Sequence, residues 1–260
     1  MVDVTAQARF PVLEITRKTY GSLFGDLPAL MRAAALWAAF VIVLRALAGW
    51  TGVAPEQAVE SGVGGGALLV FSLSSLGAAA MTWLGISAVA VFWHRRILLG
   101  EPEPAVMAPL GGRVLLYLLA WILLGLLGMA VVLAGLPLAL LLPGLEWAVF
   151  LGGGLLTGFL VARLHLVLPA IAIGDPATNM AASWRMTEGN ALRVLGAIFL
   201  TALPLTVLAI LLALLAAALG LAAGAIGSAL QAAFEFLHAT LVAGLLSHSY
   251  SFFKSAPRAA

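Results

Sequence analysis

Long apolar runs alternate with short polar segments along this chain, and the cations occupy only every second segment. Arg9, Arg17, Lys18 and Arg32 come at the start of the first run, and Arg95, Arg96 and Arg113 lie between the second and third. Arg185 and Arg193 lie between the fourth and fifth, and Lys254 and Arg258 close the sixth. The gaps after the first, third and fifth runs carry no Lys or Arg. Cationic loops are retained on the cytoplasmic side of a membrane, so this pattern predicts six spans with both termini inside. Of 13 Lys and Arg residues, Arg45 and Arg163 alone break the rule.

Composition excludes the main alternative. The chain is 63% hydrophobic and 9% charged, whereas soluble domains are about one quarter charged. A soluble fold of 260 residues has too little interior for that much apolar surface. A bilayer replaces the missing core, and residues 1–260 are read as one transmembrane domain. The net charge of +2 follows topology instead of forming a patch, which argues against nucleic acid as a partner. With no cysteine, disulfides, thiolate chemistry, iron–sulfur ligation and Cys-based zinc sites are excluded. The start does not resemble a cleavable signal peptide: the first apolar run begins near residue 30, and Arg45 interrupts it just before Ala46-Leu47-Ala48.

A helix crosses the ~30 Å hydrocarbon core in about 20 residues. The runs predict spans at 30–50, 67–93, 114–142, 147–173, 191–219 and 225–253. Pro137 and Pro204 fall inside the third and fifth, where kinks are expected. Two segments read as amphipathic helices on the cytoplasmic surface. In 12–24, Val12, Leu13, Ile15, Tyr20, Leu23 and Phe24 form the apolar face, and Glu14 precedes Lys18 by one turn. The second, 176–188, is expected to open with Asp175 as N-cap and Pro176 at the first helical position. Gly189 ends it, and Asn190 is placed to cap the next span. Glycines gather near the start of each return helix, at Gly64-Gly65-Gly66, Gly152-Gly153-Gly154 and Gly224 with Gly227, as three related hairpins would have them.

Three stretches carry a resemblance. They are Val12-Leu13-Glu14-Ile15-Thr16-Arg17-Lys18-Thr19-Tyr20, Trp93-His94-Arg95-Arg96-Ile97-Leu98-Leu99-Gly100-Glu101 and Ala182-Ser183-Trp184-Arg185-Met186-Thr187-Glu188-Gly189-Asn190. In these the chain resembles bacterial six-span proteins of unassigned function, the YciC-like proteins and the membrane domains beside some glycerophosphoryl diester phosphodiesterases. The resemblance implies a helical bundle of the bacterial inner membrane. It carries over no catalytic residues, and the chain has no phosphodiesterase domain.

Ionisable groups inside a membrane are costly unless paired or hydrated. Here they are Arg45, Arg163, His165, Glu235, His238 and His248, with Gln231 one turn from Glu235. Glu235 and His238 share a helix face. On these boundaries Glu235 lies roughly 15 Å, Arg45 roughly 8 Å and Arg163 roughly 24 Å below the outer surface. Either arginine reaches Glu235 by snorkelling, and the cluster reads as a structural salt bridge or as a proton or ion relay. Glu-x-x-His is half of a di-iron signature, but the second pair and the facing glutamates are missing, so no metal or other cofactor is expected. His94, at the end of span two, reads as an interfacial residue without a metal role.

Gly154, Gly158 and Ala162, and Gly220 with Gly224, form small-residue stripes that suit close helix packing. The basic belt of Arg17, Lys18, Arg32, Arg95, Arg96, Arg113, Arg185 and Arg193 suits anionic lipid headgroups. No nucleophile elbow or zinc-protease motif accompanies the serines and histidines. The expectation is therefore an all-α bundle with N-in/C-in topology that is not an enzyme. It is read as an accessory, assembly or envelope-maintenance factor of the inner membrane, contacting lipids, a membrane-protein partner or a second copy. The alternative is a small permease using the intramembrane Glu/His/Arg cluster.

Overall fold

A computed structural model describes residues 8–50, 65–142, 144–221 and 225–255. Among these, every regular element is a helix: α1 Val12–Gly25, α2 Leu27–Trp50, α3 Gly65–Leu99, α4 Gly112–Leu141, α5 Glu146–Leu164, α6 Val167–Ile173, α7 Met180–Met186, α8 Ala191–Ala218 and α9 Ala225–Ser255. Counting α5 and α6 as one broken span, six are long and apolar enough to cross a membrane. Helices of this length suit such a solvent, since lipid offers the backbone no hydrogen bonds and each N–H and C=O must be paired within the segment. Gly64, Gly224 and Arg258 lie outside the described residues, and with them parts of two glycine clusters and of the second small-residue stripe.

The helices α3 and α9 form the centre, with α2 packed against both. The α4/α5 hairpin joins through α3, and α8 bridges α5 and α9. One end of the bundle gathers α1, the loop 100–111, α6 and α7, and most of the charge. There Phe10 stacks on Phe253 with ring centroids 5.4 Å apart and meets Phe252 edge-on. At the opposite end the helices separate. Along the stripe on α5, Ala162 is buried, a Cβ on Gly158 would lie 3.0 Å from Leu195, and Gly154 has open space. The α4/α5 hairpin itself stays closed to its tip: Cβ atoms on Gly128 and Gly135 would lie 2.8 and 2.9 Å from Thr157 and Val149.

Several local expectations are corrected. The span 147–173 breaks after Leu164, because Pro169 has no N–H to return to the His165 carbonyl; Leu168 N takes that carbonyl instead, one residue short of helical spacing. The helix expected at 176–188 begins at Met180, capped by Asn179, whose side chain accepts from Ala182 N at 2.9 Å. Asp175 is unavailable as a cap: it holds Ala177 N (2.9 Å), Thr178 Oγ1 (2.7 Å), Lys254 Nζ (2.7 Å) and the Tyr250 hydroxyl. Asn190 stands at the cap position of α8, but its amide clamps the N-terminal segment, accepting from Phe10 N at 2.8 Å and donating to Ala8 O at 3.1 Å.

On α1 the buried face is Ile15, Thr16, Thr19 and Leu23, whereas Leu13 and Phe24 are exposed. Threonines are accepted there because Thr19 donates to the Ile15 carbonyl and lies against Gly244, and Thr16 meets Thr201 at 3.3 Å. Glu14 and Lys18 pair at 2.6 Å, one turn apart.

Candidate functional site

The intramembrane polar residues do not form one cluster. They divide between two depths, and a third group joins them that the sequence reading did not assemble.

Arg45, Glu235 and Gln231 come together. Arg45 Nη2 donates to both Glu235 carboxylate oxygens at 2.9 Å and to Thr82 Oγ1 at 3.3 Å. Thr82 spends its own proton on the Ala78 carbonyl, leaving its oxygen free to accept. Gln231 Nε2 donates to Glu235 Oε1 at 3.1 Å. The group joins α2, α3 and α9, and side-chain exposures of 19% for Arg45 and 21% for Glu235 put it largely inside the protein. Thr82 lies 13 residues from Arg95 along α3, roughly 20 Å into the bundle. Two atoms nearby keep unspent capacity: Arg45 Nη1 and His238 Nδ1 are buried without partners. His238 stacks on Phe234 with centroids 5.6 Å apart and does not bond Glu235.

Arg163 and His165 lie elsewhere, at the charged end of α5. Arg163 is 7% exposed and stacks on Trp184 of α7, 4.4 Å from the ring centroid. Its carbonyl, at the break in the span, accepts from Ser183 Oγ (2.8 Å) and Thr187 Oγ1 (3.2 Å). His165 Nδ1 donates to the Ala162 carbonyl at 2.8 Å, and the ring meets Phe253 edge-on. The choice between the two arginines as partner of Glu235 thus falls on Arg45.

The group missed from sequence is His94, Tyr117 and Ser247, on α3, α4 and α9. His94, expected as an interfacial residue, is fully buried within the protein. Ser247 donates to the Ala243 carbonyl at 2.8 Å, so it accepts from His94 Nδ1 at 2.7 Å. That assigns the tautomer, and His94 Nε2 accepts the Tyr117 hydroxyl at 3.1 Å. The network satisfies all three side chains and joins three spans. A signal was present: all three residues fall within about two turns of the cation-flanked ends of their predicted spans, at similar depth.

Most of the basic belt is spent internally. Arg95 forks onto Glu101 and donates to the Ala172 carbonyl at 3.1 Å, while Arg96 forks onto Asp26 and donates to the Glu101 carbonyl at 2.7 Å. Arg32 pairs with Glu103 at 2.5 Å. Arg113 donates to the Ala172 carbonyl at 3.2 Å and lies over Gly174, whose φ of +75° and lack of a Cβ admit the guanidinium. These arginines fasten the loop 100–111, which Trp37 Nε1 and the Ala33 carbonyl also hold through Ala108 at 3.0 Å each. Of the headgroup candidates, Lys18 is exposed and pairs with Glu14, and Arg17, Arg185 and Arg193 are exposed and make no ion pair among the described residues.

Burial pushes up the Tyr20 phenol, which donates to the Thr201 carbonyl at 2.7 Å. At Asp175 burial acts upward too, but bonds from Lys254, Tyr250, Thr178 and Ala177 N together hold the carboxyl well below the usual range. Among the described residues, no three His, Asp or Glu side chains converge as metal ligands would. A groove between the far ends of α4 and α5, lined by Val131, Gly135, Leu138, Val149 and Gly153, is apolar and distant from the ion pair. Compared with protein-family models, with curated proteins and with solved structures, the chain matches none.

Proposed function

We propose that this chain is a non-enzymatic inner-membrane protein, with both termini and the charged end in the cytoplasm, that acts as an accessory, assembly or envelope-maintenance factor. One observation carries the reading: between Thr201 and Ala216 no side chain of α8 is fully buried, only Ala202, Leu205, Thr206 and Ala209 are half-buried, and the rest are exposed. A helix that leaves most of its surface open over about 20 Å of length offers that surface to lipid or to a membrane-protein partner. The polar groups that would serve chemistry are instead bonded to one another, as struts between spans. Orientation is supported by the crowding of Arg17, Arg185 and Arg193 at the end where segment 8–10 meets α9.

Because the chain has no cysteine, one cysteine placed at Leu211 and carrying a photoreactive group tests the reading in cells. Adducts with lipid or with a second protein are expected. Adducts confined to α5 or α9 of the same chain would mean the face is covered, and the proposal would fall.

The second reading, a small permease, is favoured by the unspent Arg45 Nη1 and His238 Nδ1 beside Glu235. It requires a membrane-impermeant thiol reagent to reach a cysteine placed at Thr82.

A further inference from the structure

Comparison among the arginines singles out Arg163. Arg32, Arg45, Arg95 and Arg96 bind carboxylates, Arg113 binds a carbonyl, and Arg17, Arg185 and Arg193 are solvated. Arg163 is 93% buried by its 7% exposure, yet its guanidinium has no hydrogen bond or ion pair among the described residues, and its Nε is sealed from solvent without an acceptor. Asp175 is spent on Lys254, Tyr250 and Thr178, and Glu188, in the turn after α7, makes no ion pair. A buried cation with no counter-charge is expensive, and the face of Trp184 offsets only part of that cost. The arrangement lacks an anion.

Height identifies which. Arg163 lies 17 residues from Glu146 along α5, roughly 26 Å, close to the ~30 Å thickness of the hydrocarbon core. Trp147 stands near one end of that distance and Trp184 beside the other, and indole rings settle at headgroup level. Arg163 is therefore at the depth of lipid phosphates on the charged side. A planar guanidinium gripping two phosphate oxygens is the strong geometry for such an anion.

We infer that Arg163, backed by Trp184, is a binding site for the phosphate group of an anionic phospholipid. This rests on the proposed membrane setting and not on the open face of α8, so loss of the site would leave the partner reading standing.

The test uses the full chain, purified in mild detergent and stripped of lipid, with native mass spectrometry counting bound dioleoyl-phosphatidylglycerol. Saturable binding of one lipid is expected, weakened about tenfold or more by Arg163→Gln and changed less than about twofold by the exposed control Arg193→Gln. If Arg163→Gln fails to fold, Arg163→Lys keeps the charge and loses the fork, and weaker binding at unchanged melting temperature supports the site. Inorganic phosphate is the second probe. Arg163-dependent binding of phosphate but not of lipid would keep the anion site and move its source to solution. Equal lipid binding by the wild type and both Arg163 variants, or no binding of either probe, overturns the inference.

Discussion

The two helices of the last hairpin invert the usual relation between hydrophobicity and burial. Helix α8 is built from Leu, Ala, Ile and Val almost throughout, yet it buries only Ala191, Val194, Ala197, Thr201 and Ala216. Helix α9 carries Gln231, Glu235, His238, Thr240, Ser247, His248 and Ser249, yet it is central and buries twelve residues, Thr240, Ser247 and Ser249 among them. In water the more apolar helix would be inside. In a bilayer lipid tails are as apolar as leucine, so a leucine face gains nothing by leaving them. Polar side chains gain most from the interior, because only there do they find partners. What holds α9 in the middle is its hydrogen bonds and its small residues, such as Gly244 against Thr19 and Trp93.

The contrast is broken most forcefully at the ion pair. Glu235→Leu leaves Arg45 buried without a counter-charge and is expected to cost about 3–5 kcal/mol, whereas Arg45→Met with Glu235→Leu recovers most of that loss. Thermal unfolding in detergent measures both. A double variant no more stable than the single one would refute the strut reading of α9.

A middle-sized effect is expected where α9 is anchored at its charged end. Asp175→Asn weakens the bonds to Lys254 and Tyr250 and is expected to cost about 1–2 kcal/mol. The Asp175 carboxyl is held below the ordinary aspartate value of 3.8, so its contribution is complete above that value and is lost as pH falls through the lower folded one. An acid-side drop in melting temperature below about pH 4 should be present in the wild type and reduced in Asp175→Asn. A drop of identical size in both would assign it to other carboxylates. The smallest effect belongs to α8: Leu211→Ala, on the open face, is expected to change stability by less than about 0.5 kcal/mol. A loss of 2 kcal/mol or more, the size of a core deletion, would show the face to be packed.

Much of the frame was legible without coordinates. Apolar length and the alternation of cations suffice for six spans, because a bilayer leaves helices little alternative. Glu235 was equally identifiable as a group in need of a partner. Its partner was not, because depth alone left both Arg45 and Arg163 within snorkelling reach, and only the packing of α7 puts Arg163 under Trp184. His94 concealed its partners as well. Beside Arg95 and Arg96 it resembles a flanking residue, and only the third dimension brings Tyr117 and Ser247 to its two nitrogens. The parting of α5 from α8 was invisible in sequence, since Ala and Leu read alike whether they face protein or lipid.

The clamp of Asn190 on Ala8 and Phe10 also sets an order in time. Asn190 lies 180 residues beyond Phe10, so Phe10 is synthesised long before the side chain that will hold it. The helix α1 packs on α8 and α9, so its dock is likewise made long after it. Until then the N-terminal helix has only its lesser contacts with the early spans, and four spans are made ahead of its main dock. Closure of this protein is thus a late, long-range event, of the kind that slows folding and prolongs exposure of sticky intermediates. A chain cut short before Ala191 would leave α1 without its main dock, and Ile15 without Val194, Ala197 and Leu245.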